Sequence, residues 1–278
     1  MAELQKNQLH TVTIADYSDQ GLGIARVDGR VVFVHGGVRG EVCTFRILKV
    51  LKNMAFARVE EILEQSPGRE TPDCPHYPAC GGCDLRHLTY QEELDAKRRR
   101  VEDALRRIGG ADIPVETILG SQRTAGYRNK SQFPVSPQGL AGFYRARSHQ
   151  VIPAADCLLQ TPQAGAAARA VEDYLRENCV PAYDEQTHRG LLRHIYVRTD
   201  RQGGALVCLV VNGEKLPREE ELVRRIREAC PTTVGVVLNT NTRRTNVILG
   251  EGYRTLWGQD TLRDTLCGFT FDLAIPAF

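Results

Sequence analysis

Long apolar runs are missing from this 278-residue chain. The longest, Ala205 to Val211, covers seven residues, where a membrane-spanning helix needs about 20. Net charge is nearly missing as well: 36 Lys and Arg stand against 34 Asp and Glu, or +2 overall. The opening MAELQKNQLH carries no apolar stretch behind its charges, so a secretory signal is not expected. Nine cysteines without such a signal point to a reducing, cytoplasmic compartment in which disulfides are rare. No internal repeat or low-complexity tract interrupts the chain. What is present is ordinary globular composition, 42% hydrophobic and 25% charged, which argues against disorder. The length suits two domains.

The first sixty or so residues read as all-β. HTVTIADY (10–17), GIARV (23–27), RVVFV (30–34), GEVCTFRILKVL (40–51) and MAFARVEEIL (54–63) are alternating or β-branched runs separated by glycine turns. Asp28-Gly29 is a tight-hairpin signal. Five strands without a helix predict a small OB-like barrel, because closure removes unpaired edges. The Pro-, Gly- and Cys-rich stretch from Gln65 to Cys83 ends that unit. Thr89 and Glu92 then form a capping box, with Gly109-Gly110 as the stop. Leu94, Val101, Leu105 and Ile108 share one face of the intervening helix. Farther on, YRNKSQFPV and GLAGFYRAR read as a hairpin around Ser136–Gly139. Thr161-Pro162 opens a second helix. Strands are expected at 192–200, 204–212, TVGVVLN and TNVILG, with a helix from about Pro217 to Cys230-Pro231.

The strongest local signal is Cys74-Pro-His-Tyr-Pro-Ala-Cys80-Gly-Gly-Cys83. Three thiols fall in a polar loop that is a poor place for buried cysteine, so a metal site is favoured over incidental thiols. Only one Cys-x-x-Cys is present, whereas a four-thiolate zinc site has two close pairs. His76 or His87 could complete a Cys₃His zinc site. A [4Fe–4S] cluster takes three clustered cysteines and a remote fourth, for which Cys157 in AADCLLQ is the best candidate. Spacing alone leaves both metals open. Cys43 and Cys208 sit in apolar strands and read as small buried hydrophobes.

Between Ser121 and Gln160 the cations Arg123, Arg128, Lys130, Arg145 and Arg147 face the single acid Asp156, interleaved with Tyr127, Phe133, Phe143 and Tyr144. Cations for phosphates and aromatic faces for unpaired bases suit single-stranded or looped RNA. A solvated charged face over core aromatics would carry the same residues. Arg189, Arg193, Arg198, Arg243 and Arg244 extend the basic set.

With those residues in view, the chain resembles the bacterial TRAM-domain, iron–sulfur RNA (uracil-5-)-methyltransferases that act mainly on 23S ribosomal RNA. GLGIARVDGRVVFV with GEV matches the TRAM barrel. CPHYPACGGCDLRHLTYQEELDAKRRRVEDALRRIGG matches the cluster loop and its helix. YRNKSQFPV, GFYRARSHQVIPAADCLLQ, LRHIYVRT, TNVILG and FDLAIPAF match a central domain. The resemblance implies an α+β fold: a TRAM barrel over 1–64, and an iron–sulfur, RNA-binding central domain over 65–90 and 125–278. A helical segment over 91–124 would pack on a catalytic domain. It implies a [4Fe–4S] cluster on Cys74, Cys80, Cys83 and Cys157. It also implies RNA near Tyr127, Arg128, Asn129 and Lys130, a set that the basic hairpin residues Arg145 and Arg147 enlarge.

The family's doubly wound domain has a glycine-rich turn for S-adenosylmethionine. No such turn is seen between strand and helix in this sequence, and no cysteine stands in the family's catalytic context. The expectation is therefore that the doubly wound methyltransferase domain is absent and that no catalytic residue lies in the chain. S-adenosylmethionine would then be bound only by a longer enzyme, and this chain would be the RNA-recognition portion, without methyl transfer. The alternative is a stand-alone iron–sulfur or zinc RNA-binding protein. Either would be a monomer with no membrane association.

Overall fold

The computed structural model describes residues 4–277. They divide into two compact units, one of residues 4–77 and 83–121, the other of 78–82 and 122–277.

In the first unit, β1 (Leu9–Thr13), β2 (Asp16–Tyr17), β3 (Gly23–Val27), β4 (Arg30–His35), β5 (Val42–Val50) and β6 (Met54–Glu64) form one sheet in the order β1-β5-β6-β4-β3-β2. The alternating runs place every second side chain inward, as the period of two requires. Ala25, Val27, Val32, Val34, Cys43, Phe45, Ile47, Ala55 and Ala57 thus make the core. The sheet closes because β1 and β2 are one bent run: β1 pairs with β5 while β2 pairs with β3. At the bend Ile14 turns inward, its amide donating to the Glu41 carbonyl. A Cβ on Gly23 would lie 2.9 Å from the Ile14 side chain and 3.0 Å from the Gly37 carbonyl, so only glycine fits there.

Helix α1 (Tyr90–Arg107) starts on Thr89, whose hydroxyl accepts the Glu92 amide at 3.3 Å. The other half of the expected capping box is not formed. Glu92 instead accepts from the Tyr17 hydroxyl (2.8 Å) and from Arg39 (3.0 and 2.9 Å), while the Thr89 amide donates to the Gly68 carbonyl. A carboxylate within reach of a guanidinium fork gains more there than from one neutral amide. On the apolar stripe of α1, Leu94 and Leu105 are half-buried and Val101 and Ile108 are exposed.

The second unit holds β7 (Lys130–Pro134), β8 (Gly142–Tyr144), β9 (Val151–Pro153), α2 (Pro162–Glu177), β10 (Leu192–Thr199), β11 (Ala205–Val211), α3 (Glu219–Ala229), β12 (Thr233–Thr240), β13 (Gly252–Gly258), β14 (Thr261–Leu266) and β15 (Phe269–Ala274). Five of these make a sheet in the order β13-β12-β11-β10-β7, in which only β11 and β12 run parallel. One face packs α2 and α3 over Phe133, Ile195, Val197, Val207 and Leu209. On the other, Tyr196, Leu206, Cys208 and Val237 cluster with Leu262 and Ile275. β11, buried on both faces, reads as the continuous apolar run that such a strand needs, whereas β10, equally buried, carries Arg193, His194 and Arg198.

Two local expectations fail here. β7 does not pair with β8 beyond one bridge, Val135 to Ala141; it takes β10 as partner over five residues, and β8 turns back on β9. Longer pairing with a buried strand outweighs a local hairpin. TNVILG is not a strand: residues 245–250 form a loop, and β13 begins only at Gly252. Among the described residues no helix is long and apolar enough to cross a membrane.

Candidate nucleic-acid interface

The sequence-predicted RNA residues fall in two places in the second unit. Tyr127–Lys130 leads into β7 and runs beside the segment after Cys157: the Gly126 and Arg128 amides donate to the Leu158 and Leu159 carbonyls at 2.8 and 3.0 Å. Ser131 is locked to Gln160 by a buried side-chain hydrogen bond of 2.5 Å. Tyr127, Arg128 and Asn129 are exposed, and Lys130 is half-buried opposite Arg198 in the β7–β10 register. Burial, and secondarily the Arg198 charge, holds the Lys130 amine below its ordinary value.

Arg145 and Arg147 instead occupy the exposed tip of the β8–β9 hairpin, with Arg147 in the left-handed region at φ 58°. That tip is tied down from two sides. Cys80 bridges Arg145, and the Gly81 amide donates to the Tyr144 carbonyl at 3.0 Å. A Cβ on Gly81 would lie 2.7 Å from the Ala146 nitrogen, which explains glycine at that position. From the other side, Glu185 accepts from the Tyr144 hydroxyl (3.1 Å) and pairs with His149 (2.9 Å).

Sequence reasoning placed Arg193 and Arg198 only in a loose basic set; β10 in fact buries both, with His194 between them. The Arg193 guanidinium stacks 4.5 Å from the Tyr183 ring. Its Nη1 donates to the carbonyls of Asn241 and Arg243, both at 2.8 Å. Arg198, 5% exposed, keeps Nε and Nη2 without a hydrogen-bond partner. Burial pushes His194 down to about 4, with Arg193 adding to the effect. This is an interior with surplus positive charge, unusual without an anion to meet it. Its sequence signal was the charge inside an otherwise apolar strand, LRHIYVRT.

The candidate metal thiols are all half-buried. Cys74 and Cys83 belong to the first unit and both lie in electrostatic range of Arg86, which pairs with Asp73 at 2.6 and 2.8 Å. Cys80 and Cys157 belong to the second unit. Among the described residues no three His, Cys, Asp or Glu side chains gather closely enough to hold an ion. His87 is committed elsewhere: it is buried, its Nδ1 is 2.6 Å from the Tyr77 hydroxyl, and burial drives it down to about 4. Cys43 and Cys208 are fully buried, with burial raising both thiols, Cys43 to about 11.

Residues 3–59 match the TRAM domain family. Along its whole length the chain is similar to RNA methyltransferases. It is 37% identical to an uncharacterized RNA methyltransferase of Halalkalibacterium halodurans, over 100% of this chain and 62% of that protein. It is 39% identical to one of Listeria monocytogenes, over 99% and 61%. The chain thus spans about three-fifths of the length of these relatives. In fold it is similar to the Pyrococcus abyssi tRNA (uracil-54, C5)-methyltransferase solved with S-adenosyl-L-homocysteine. There the TM-score is 0.73 at 19% identity, covering 96% of this chain and 60% of that one.

These matches overturn two expectations. The fold class was drawn with the methyltransferase domain absent, and the function as an RNA-recognition portion, or a stand-alone binding protein, without methyl transfer. Both rested on motifs not seen in the sequence. RNA methyltransferases instead align with essentially every residue of the chain, and 96% of it follows the backbone path of one. The barrel and the sheet unit thus both lie within the stretch that the chain shares with these RNA methyltransferases.

Proposed function

We propose that this chain serves S-adenosylmethionine-dependent methylation of RNA at uracil C5, with 23S ribosomal RNA as substrate. The observation that carries the reading is the end-to-end match to RNA methyltransferases. The fold likeness to a uracil-C5 enzyme supports the choice of base and position, and the TRAM match supports RNA as the ligand. The choice of ribosomal RNA comes from the family resemblance of the central motifs, YRNKSQFPV among them.

C5 methylation needs a nucleophile at C6, a base for the C5 proton, and a target nucleotide extruded from its stack. The basic residues of the second unit serve the RNA side of that task. Arg128 and Lys130 meet phosphates beside β7, Tyr127 offers a stacking face, Asn129 adds a polar contact, and Arg145 and Arg147 grip the backbone from the hairpin tip. S-adenosylmethionine supplies the methyl group. The β11–α3 junction is not a glycine-rich cradle for it: it carries Gly213 alone and starts its helix on Arg218 at φ 49°, without a side-chain cap.

Cys74, Cys80, Cys83 and Cys157 are the proposed ligands of a [4Fe–4S] cluster. In kind the donors fit: four thiols, three of them on one pliable loop. In placement they are not a preassembled shell, as expected where the group itself draws its ligands together. The cluster would hold the loop and enter no step of methyl transfer. Anaerobically purified protein is expected to carry about four iron atoms and to absorb broadly in the visible. A Cys157→Ser protein that keeps its full iron would remove Cys157 from the set.

Incubation with tritiated S-adenosylmethionine and unmodified 23S and tRNA transcripts is the test of function. Label recovered as 5-methyluridine is the expected result. Label confined to a tRNA transcript would transfer the substrate to tRNA, and label on another base would overturn the C5 reading.

A further inference from the structure

Residues 242–250, of which TNVILG (245–250) reads as strand in sequence, fold as a loop whose backbone is bound by side chains rather than by a neighbouring strand. Two buried asparagines, Asn239 on β12 and Asn241 just past its end, do this. Asn241 Nδ2 donates to the Val247 and Ile248 carbonyls at 2.7 and 2.9 Å, and its Oδ1 accepts the Arg243 amide at 3.1 Å. Asn239 Nδ2 donates to the Gly250 and Gly252 carbonyls, both at 3.0 Å, and its Oδ1 accepts the Gly250 amide at 2.7 Å. Arg193 then pins the start of the loop through the carbonyls of Asn241 and Arg243.

Surface loops are ordinarily among the least stable parts of a fold. Burying two carboxamides and a guanidinium is costly unless they are engaged: both carboxamides are fully satisfied, and Arg193 is held through Nη1 while its Nε has no hydrogen-bond partner, so that six exposed residues are held rigid. What the loop displays is polar and donor-rich. Arg243 is paired with Glu251 at 2.5 Å, whereas Arg244 has no ion-pair partner among the described residues. Thr245 and Asn246 follow, both exposed. Arg, Thr and Asn side chains on a fixed backbone suit phosphate and sugar oxygens, and fixing them beforehand removes ordering entropy from the binding step.

We propose that loop 242–247 is a preformed contact for the RNA backbone, with Arg244 meeting a phosphate and Arg193 acting as the positioning residue that sets the loop. This rests on the RNA-methyltransferase reading above and extends the RNA surface beyond the residues already assigned.

The test measures binding of the full chain to a labelled, unmodified 23S transcript over a range of salt. Arg244→Ala is expected to weaken binding roughly fivefold and to lower the salt slope by nearly one counterion, the signature of one lost phosphate contact. Its thermal unfolding should match the parent, since the side chain is exposed. Arg193→Lys keeps the charge but not the planar fork. It should cost the same as Arg244→Ala, and the double variant should cost no more than either. Full additivity would show that Arg193 acts elsewhere and overturn its positioning role. Parental binding by Arg244→Ala, alongside loss in an Arg128→Ala/Lys130→Ala control, would overturn the loop contact and leave the RNA reading standing. No binding by the parent chain would overturn both.

Discussion

The two units bury charge in opposite ways. In the barrel unit every deeply placed carboxylate meets a guanidinium. Glu41, wholly buried, receives Arg69 through both Nε and Nη2, the second at 2.8 Å, and also accepts the Val38 amide at 3.0 Å. Glu92 takes Arg39 and Tyr17, and burial, the largest cause, drives the Tyr17 phenol up beyond its ordinary range. In the sheet unit Arg193 is held by carbonyls and a ring, and two Arg198 nitrogens have no partner. Paired charges close a structure. Surplus cationic groups leave it poised for an anion, which supports placing the proposed RNA contacts on the second unit.

That contrast can be broken, and the largest break is expected at Arg69. Arg69→Met would strand the buried Glu41 carboxylate and cost about 3–5 kcal/mol, read as a fall in the denaturant midpoint. A loss below 1 kcal/mol would show that the barrel does not depend on its pairs. Next comes acid. His87 and His194 are both held neutral by burial, near 4 against an ordinary 6.5. Their lowered folded values give stability that is full above pH 6.5 and is lost as pH falls toward 4, about 2–3 kcal/mol for each. Circular dichroism from pH 8 to 4 should show that loss, and His194→Gln should flatten its share.

A smaller effect, about 1 kcal/mol, is expected for Thr89→Ala, which removes the α1 cap. Thermal unfolding would detect it. Smallest of all is Arg198→Met. Replacing an uncompensated buried cation by an apolar chain of similar length should be neutral or slightly stabilising, while RNA affinity falls. A loss as large as that of Arg69→Met would erase the difference between the units.

Much of this architecture was legible in the chain. The barrel strands fall within a residue or two of their alternating runs, since one face of each strand is core and the other solvent. Helices α1, α2 and α3 begin and end near their caps, prolines and glycines. What misled was local pattern without tertiary competition. TNVILG has strand composition, but Asn239 and Asn241 claim its carbonyls. Glu92 has the spacing of a capping box, but Arg39 lies within its reach. β14 and β15 were not read at all, because TLRDTL and FTFDLA carry little period-two burial: only Leu262 in them is fully buried.

The candidate site was legible as residue types, not as places. The thiols and the basic, aromatic stretch stand out in the chain, but their division between the β7 lead-in and the β8–β9 tip depends on which strands pair. The long-range hydrogen bonds of Arg193 and Glu185 cannot be written in local sequence.

By itself, then, the sequence determined the barrel, the helices and the chemical kinds available at the surface, because periodicity, caps and donor types are local properties. Only the tertiary structure decided which charges are paired, which stretch becomes a stapled loop, and where the unmatched cations lie. Those outcomes depend on contacts between residues tens of positions apart, whose energies are settled only when the chain is packed.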